Sequence, residues 1–266
     1  MKIDYHMHSD FSADCETPME ETVKMAIEKG LTEICFTEHV DYDYPDPTID
    51  FSLDTTSYHE KIKEMQAKYT GLIQVKKGVE IGVEPHLLSR YEKLIQEETF
   101  DFIICSEHTT NRQDLHGGAL FQDRSVKEAY ELYYQELLEC VTQFDSYSIL
   151  GHLDLIKRYQ TPDPKADFTD IITEIFKTII PKGKGIEVNT SGYSYGLDHH
   201  MPSEDILRLY KACGGEIITI GSDAHEKEHV GRHFTEVVHL LQEIGFHYLC
   251  TFTEQKPTFH SIKQFL

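Results

Sequence analysis

Seven short apolar runs recur along this 266-residue chain, and a stretch of helical periodicity follows each one. This alternation constrains the fold more than any other feature, because strands joined by helices pair in parallel through right-handed crossovers. The runs are KIDYHMH (2–8), TEICFTEH (32–39), IQVKKGVEIG (73–82), FDFIICSEH (100–108), SILGHLD (148–154), GIEVNTSG (185–192) and EIITIGSDAH (216–225). Helical patterns occupy 17–30, 56–69, 85–97, 125–144, 168–180, 203–215 and 230–244. The first should open with Thr17 as N-cap, Pro18 in first position and Glu20 closing a capping box, and should stop at Gly30. HYLCTF (247–252) reads as a last edge strand. No Gly-rich dinucleotide turn follows the first run. Seven units in this length suit a closed barrel better than an open doubly wound sheet. The expectation is an α/β fold, a distorted (β/α)7 barrel of TIM-barrel-like form. No linker or composition break divides it, so residues 1–266 read as a single domain.

Charge and cysteine usage narrow the function. The chain carries 25 basic and 46 acidic residues, a net charge of −21. Such a surface repels nucleic acid and anionic membranes, so neither is an expected partner. It would also repel a phosphate unless cations reversed the field locally. No stretch is apolar for long enough to span a bilayer, and the opening MKIDYHMHSD has no signal-peptide h-region. Six scattered cysteines without a C-x-x-C pair fit reduced, mostly buried thiols. The expected location is cytoplasmic.

The residues that close the runs point to chemistry. His6 and His8 close the first, with side chains on one face because strand residues i and i+2 share a side. His39, Glu80, His108 and His152 close the next four, and Asp223 with His225 closes the seventh. In a β/α barrel the strand C-termini converge on one face, which carries the site. Burying that many ionisable groups without compensating cations would be costly. With Asp14 they make nine potential ligands, too many for one ion that keeps an open position. Two or three divalent ions fit, and imidazole with carboxylate suits Zn, Fe, Mn or Co. Glu80, with two oxygens, is the natural bridge. Paired ions can activate a water and clamp both attacking and leaving oxygens at phosphorus.

In order, H-x-H with SDFSAD, TEH (37–39), GVEIG (78–82), SEH (106–108), GHLD (151–154) and GSDAH (221–225) resemble the polymerase-and-histidinol-phosphatase (PHP) family over residues 3 to about 232. Within it the chain is most similar to the stand-alone histidinol-phosphatase branch. The resemblance implies a distorted seven-unit β/α barrel with a trinuclear centre. His6, His8, Glu80 and Asp223 would hold the first ion. Glu80, His108 and His152 would hold the second, and Asp14, His39 and His225 the third. Asp14 stands where some members carry His, and Glu107 where an apolar residue is common.

The implied activity is hydrolysis of L-histidinol phosphate, a step of histidine biosynthesis, by a metal-bridging hydroxide. Glu80, Asp223 and His225 would be catalytic, with either Asp223 or a ligand-bound water protonating the leaving alkoxide. Arg158 is the candidate phosphate clamp, since guanidinium is planar and bidentate toward phosphate. Arg112 and Arg232 are weaker candidates. The loop 40–54 and the segment NTSGYSYG, opening at Asn189, could meet the substrate's ammonium and imidazole. His199 and His200 form a loop pair without a fixed shared face. Rival readings are a PHP-type phosphoesterase for a nucleotide, sugar phosphate or phosphotyrosine, an amidohydrolase, and a non-catalytic metal-binding module. No Lys closes a strand, which counts against the second. No ligand is missing, which counts against the third.

Overall fold

The computed structural model describes residues 1–159 and 164–266. Its centre is a seven-stranded sheet made of β1 (Ile3–Asp4), β2 (Glu33–Val40), β3 (Gln74–Gly82), β4 (Phe102–Ser106), β5 (Ile149–Leu150), β6 (Gly185–Asn189) and β7 (Ile218–Gly221). Neighbours follow chain order and every pairing is parallel. The two edges meet: Tyr5 N–H donates to the Ile220 carbonyl at 3.0 Å, Asp223 N–H to His6 at 2.7 Å and His8 N–H to Ala224 at 2.9 Å. A parallel bridge between Met7 and Ala224 completes the seam. The sheet is a nearly closed barrel, as the alternation predicts.

Helices α1 (Met19–Glu28), α2 (Thr55–Lys68), α3 (Leu88–Glu97), α4 (Val126–Gln143), α5 (Thr169–Ile179), α6 (Glu204–Ala212) and α7 (Phe234–Ile244) fill the connections. Each buries one stripe. In α5 the buried residues are Ile172, Ile175, Phe176 and Ile179, the i, i+3, i+4, i+7 spacing of one helical face. All eight residues of β2 are buried, as expected of a parallel strand covered on both faces. Among the described residues no helix is long and apolar enough to cross a membrane. All six cysteines are free, and five are buried.

Three expectations need correction. The proposed capping box at α1 does not form, and Pro18 occupies the N-cap position without a side-chain cap. The Thr17 hydroxyl donates instead to the His225 carbonyl at 2.9 Å, and Glu20 is taken by Lys68 and Tyr69. Most strands are shorter than their apolar runs, because the chain leaves the ladder before its polar closing residue. Only His39 and Glu80 of the eight closing residues lie inside a strand. Finally, 247–252 is no edge of the barrel sheet. Tyr248–Thr253 (β8) pairs antiparallel with Lys256–Ser261 (β9), a strand the sequence pattern did not reveal. Their two-residue turn, Glu254 and Gln255, has φ of 48° and 59°, the positive values that a tight hairpin demands. The turn bonds to Asp101, just before β4, so the hairpin covers the end opposite the strand C-termini.

Candidate metal centre

Strand register brings the first donors together. His39 and Glu80 are direct partners across β2 and β3. His6 and His8 follow β1 in extended backbone, and their Nε2 atoms lie 3.2 Å apart. Asp223 reaches the same point from β7 through a left-handed residue, φ 52°, a strained conformation of the kind that clusters at functional sites. Gly221 permits this approach, since a Cβ there would collide with His6.

Three overlapping donor clusters result. In the first, Glu80 Oε2 lies 3.1 Å from His6 Nε2 and 3.5 Å from His8 Nε2. Asp223 Oδ1 is 3.5 and 3.3 Å from the same nitrogens. In the second, Glu80 Oε1 lies 3.3 Å from His108 Nε2 and 3.0 Å from His152 Nε2. In the third, Asp14 Oδ2 lies 3.5 Å from His39 Nε2 and 3.2 Å from His225 Nε2. All nine residues singled out as ligands are thus gathered at the C-terminal end of the barrel. Donor atoms bound at 2.0–2.1 Å to one tetrahedral ion sit about 3.3 Å apart, the separation found here. His108 Nε2 is buried without a hydrogen-bond partner, and the set holds imidazole and carboxylate but no thiolate. It fits divalent first-row metals.

Crowding these groups together shifts their titration in both directions. Burial opposes a charged His6, but Glu80, Glu187 and Asp223 outweigh it and raise its pKa well above the usual value. His8 goes the other way: burial and the adjacent His39 and His225 push it down to about 3. Burial would raise Glu80, yet His6, His108 and His39 hold it well below the ordinary carboxylate range. Asp223 is likewise held low against burial, by His6, His8 and His225. The ionised carboxylates and the neutral His8 are in the states that ligation requires. His6, His39, His108 and His225, all raised against burial by the carboxylates around them, must instead give up a proton where a cation takes its place.

Buried carboxylates support the donors from behind. Glu187 Oε2 accepts from His6 Nδ1 at 2.9 Å, while its Oε1 accepts the His152 N–H at 2.7 Å. Ser12 Oγ lies 3.1 Å from His8 Nδ1 and donates to Glu38 at 2.6 Å. Asp41 Oδ1 accepts from His108 Nδ1 at 2.6 Å. The sequence reading missed all three carboxylates. A signal existed for Asp41, which is two residues beyond His39 and so on the same face of the chain. Glu187 precedes Asn189 by the same step.

A cavity of about 330 Å³ opens over the donors. Its wall includes Arg158, Tyr159, Tyr195, Tyr44, Phe51, Asp114 and His116 besides Asp41 and all of the candidate ligands except His6 and His8. Arg158 stacks 3.0 Å above the Tyr195 ring, and its buried Nε has no hydrogen-bond partner. Asn189 is not on the wall. Fully buried, it donates to Glu187 at 3.0 Å and lies 3.4 Å from Asp223 Oδ2, which makes it a brace for these carboxylates. The loop 40–54 does reach the cavity, through Asp41, Tyr44, Ile49 and Phe51. Arg112, Arg232, His199 and His200 do not line it, and neither does Glu107. That side chain is buried, and its Oε1 accepts from Thr110 at 2.5 Å. His116, unassigned from sequence, does line it.

Comparison with known proteins agrees with this geometry. The PHP domain model matches residues 4–191. The histidinol-phosphatase of Lactococcus lactis is 35% identical over 260 residues, covering 96% of each chain. A crystal structure of histidinol phosphate phosphatase from Lactococcus lactis, complexed with zinc, L-histidinol and phosphate, superposes with a TM-score of 0.88 at 33% identity. That match covers 97% of this chain and 98% of the other. A structure from work on metal-dependent tyrosine phosphatases of Bacillus subtilis and Streptococcus pneumoniae gives a TM-score of 0.51 at 16% identity, covering 91% and 86%. The last shares the fold alone.

Proposed function

The chain belongs to the PHP-domain family, and from that premise we infer that it is a metal-dependent phosphomonoesterase converting L-histidinol phosphate to L-histidinol and phosphate. The observation that carries this reading is the set of three donor clusters, spaced like the edges of coordination polyhedra, at the floor of a cavity bearing one arginine. His6, His8, Glu80 and Asp223 would hold one ion. Glu80, His108 and His152 would hold a second, and Asp14, His39 and His225 a third. Zinc is the first metal to try, because the Lactococcus lactis structure contains it. When bound, such ions activate water, neutralise the phosphate and stabilise the leaving oxygen.

The chain's own groups do the rest. Arg158 lines the same cavity with its guanidinium stacked on Tyr195, and its unpartnered Nε supports a role in pairing with phosphate oxygens. Asp114 gives the wall a carboxylate outside the proposed ligand set, a partner for a cationic histidinol group. Tyr44 fixes Asp114 by donating to it at 2.9 Å. Asp223 takes further support from the Ser191 hydroxyl at 3.1 Å. Held ionised, it serves as ligand and fixed charge. Of the two proton sources considered for the leaving alkoxide, water is therefore the better supported.

The test is to strip metal with a chelator and follow phosphate release from L-histidinol phosphate as Zn, Mn, Fe or Co is restored. The reading predicts loss on stripping and recovery with at least one metal, rising with bound stoichiometry. Unchanged turnover in metal-free protein would contradict it.

A further inference from the structure

We propose that Asp41 is a positioning residue shared by two ion sites, holding His39 and His108 with one carboxylate so that the second and third ions bind as a coupled pair. The proposal rests on the trinuclear reading above. Asp41 is buried, and its two oxygens diverge toward two imidazoles. Oδ1 accepts from His108 Nδ1 at 2.6 Å, while Oδ2 and His39 Nδ1, both buried and both without a hydrogen-bond partner, face each other at 3.4 Å. The opposite nitrogens of these rings face the donors of different sites: His108 Nε2 faces Glu80 Oε1, and His39 Nε2 faces Asp14. Asp41 therefore stands behind both rings. Ligating imidazoles commonly donate their remote N–H to a carboxylate, which fixes tautomer and ring orientation. Sharing one such carboxylate between ligands of two ions ties their geometries together.

His39 Nδ1 also lies 3.3 Å from Glu80 Oε2, but Glu80 is committed to the ions through both oxygens. Asp41 is the carboxylate left for that proton. The fold makes room for it. A Cβ on Gly82, at the end of β3, would overlap the Asp41 carboxylate and press on His108. The backbone is bare where these groups meet.

The test is zinc binding to the whole protein, with stepwise affinities from chelator competition and stoichiometry from elemental analysis. Asp41→Asn keeps size but can accept only one imidazole proton. Gly82→Ala displaces the carboxylate without removing it. Both should weaken two ions together, on the order of 10–100-fold, and leave the ion held by His6, His8 and Asp223 unchanged. Circular dichroism on the metal-free variants confirms the fold; if Asp41→Asn does not fold, Gly82→Ala decides. Weakening of one ion alone, or of none, overturns the coupling while leaving the three-ion reading intact. A wild type binding fewer than three ions overturns both. A zinc-loaded crystal structure with Asp41 bonded to metal at about 2.0–2.2 Å overturns the positioning role.

Discussion

At the residue scale, buried carboxylates have opposite fates. Glu80 and Asp223 are ionised by the histidines around them. Burial, with Glu136 and Glu84 nearby, holds the Glu107 carboxyl well above its usual range. Glu107 therefore keeps a proton next to His108 in sequence yet apart from it in role. Glu107→Gln should keep metal content and turnover within about threefold, since a neutral acid and an amide are near-isosteres; loss of an ion would show that it ligates. Arg158→Ala should raise KM on the order of 10–100-fold, the scale of one charge-assisted hydrogen bond, with a smaller effect on kcat. Steady-state kinetics separates the two. Position by position, eight of the nine candidate ligands were legible because they are imidazoles or carboxylates that close their runs; Asp14 stood out by following the first. Glu38 and Glu187 were not, because they close no run and meet the candidate ligands from behind, and Asp41 was signalled only by its spacing from His39. Asn189 looked available in a polar loop segment but is enclosed once β6 and β7 pair.

At the element scale, the alternation predicted every barrel strand and every α-helix among the described residues, while boundaries failed beside the candidate site. The runs 100–108 and 148–154 read as strands to their ends, yet β4 stops at Ser106 and β5 at Leu150. His108 and His152 sit just beyond, released from the ladder so that their rings can turn inward. Hairpin strand β9 was missed because Lys256–Ser261 is mostly polar and half-exposed, without the apolar alternation that marks a strand. Local rules hold where no site competes. Ser125 and Glu128 form a reciprocal capping box on α4, and Ser125→Ala should cost about 1 kcal/mol in denaturant unfolding. On the same helix, burial followed by repulsion from Glu84 and Glu139 pushes Glu136 up to about 7. A raised acid favours folding fully below its unfolded pKa near 4.5, and that contribution is lost as pH rises through about 7. Glu136→Gln should therefore gain about 1–2 kcal/mol over wild type at pH 8, discounting for partial exposure, and little at pH 4.5. An unchanged pH profile of unfolding would contradict this.

At the scale of the whole molecule, a chain of net charge −21 gathers nine candidate metal ligands at one end of a barrel. Divalent ions there should stabilise the fold. Saturation at a hundredfold excess over Kd contributes about 2.7 kcal/mol per site. Stripping one site should thus lower Tm by roughly 5–10 °C, measurable by calorimetry. The charge balance excluded nucleic acid and membranes as expected partners but could not select a substrate. That choice depends on a cavity assembled from loops distant in sequence: Tyr44 and Phe51, Asp114 and His116, Arg158 and Tyr195. The central claim is hydrolysis of one particular phosphate ester, so the most direct test is kcat/KM for phosphate release by zinc-loaded protein. L-Histidinol phosphate should be compared with nucleotides, sugar phosphates and phosphotyrosine. The account predicts an advantage of at least about a hundredfold for L-histidinol phosphate, about 2.7 kcal/mol of transition-state discrimination. Equal or lower efficiency than any other ester on the panel would contradict it.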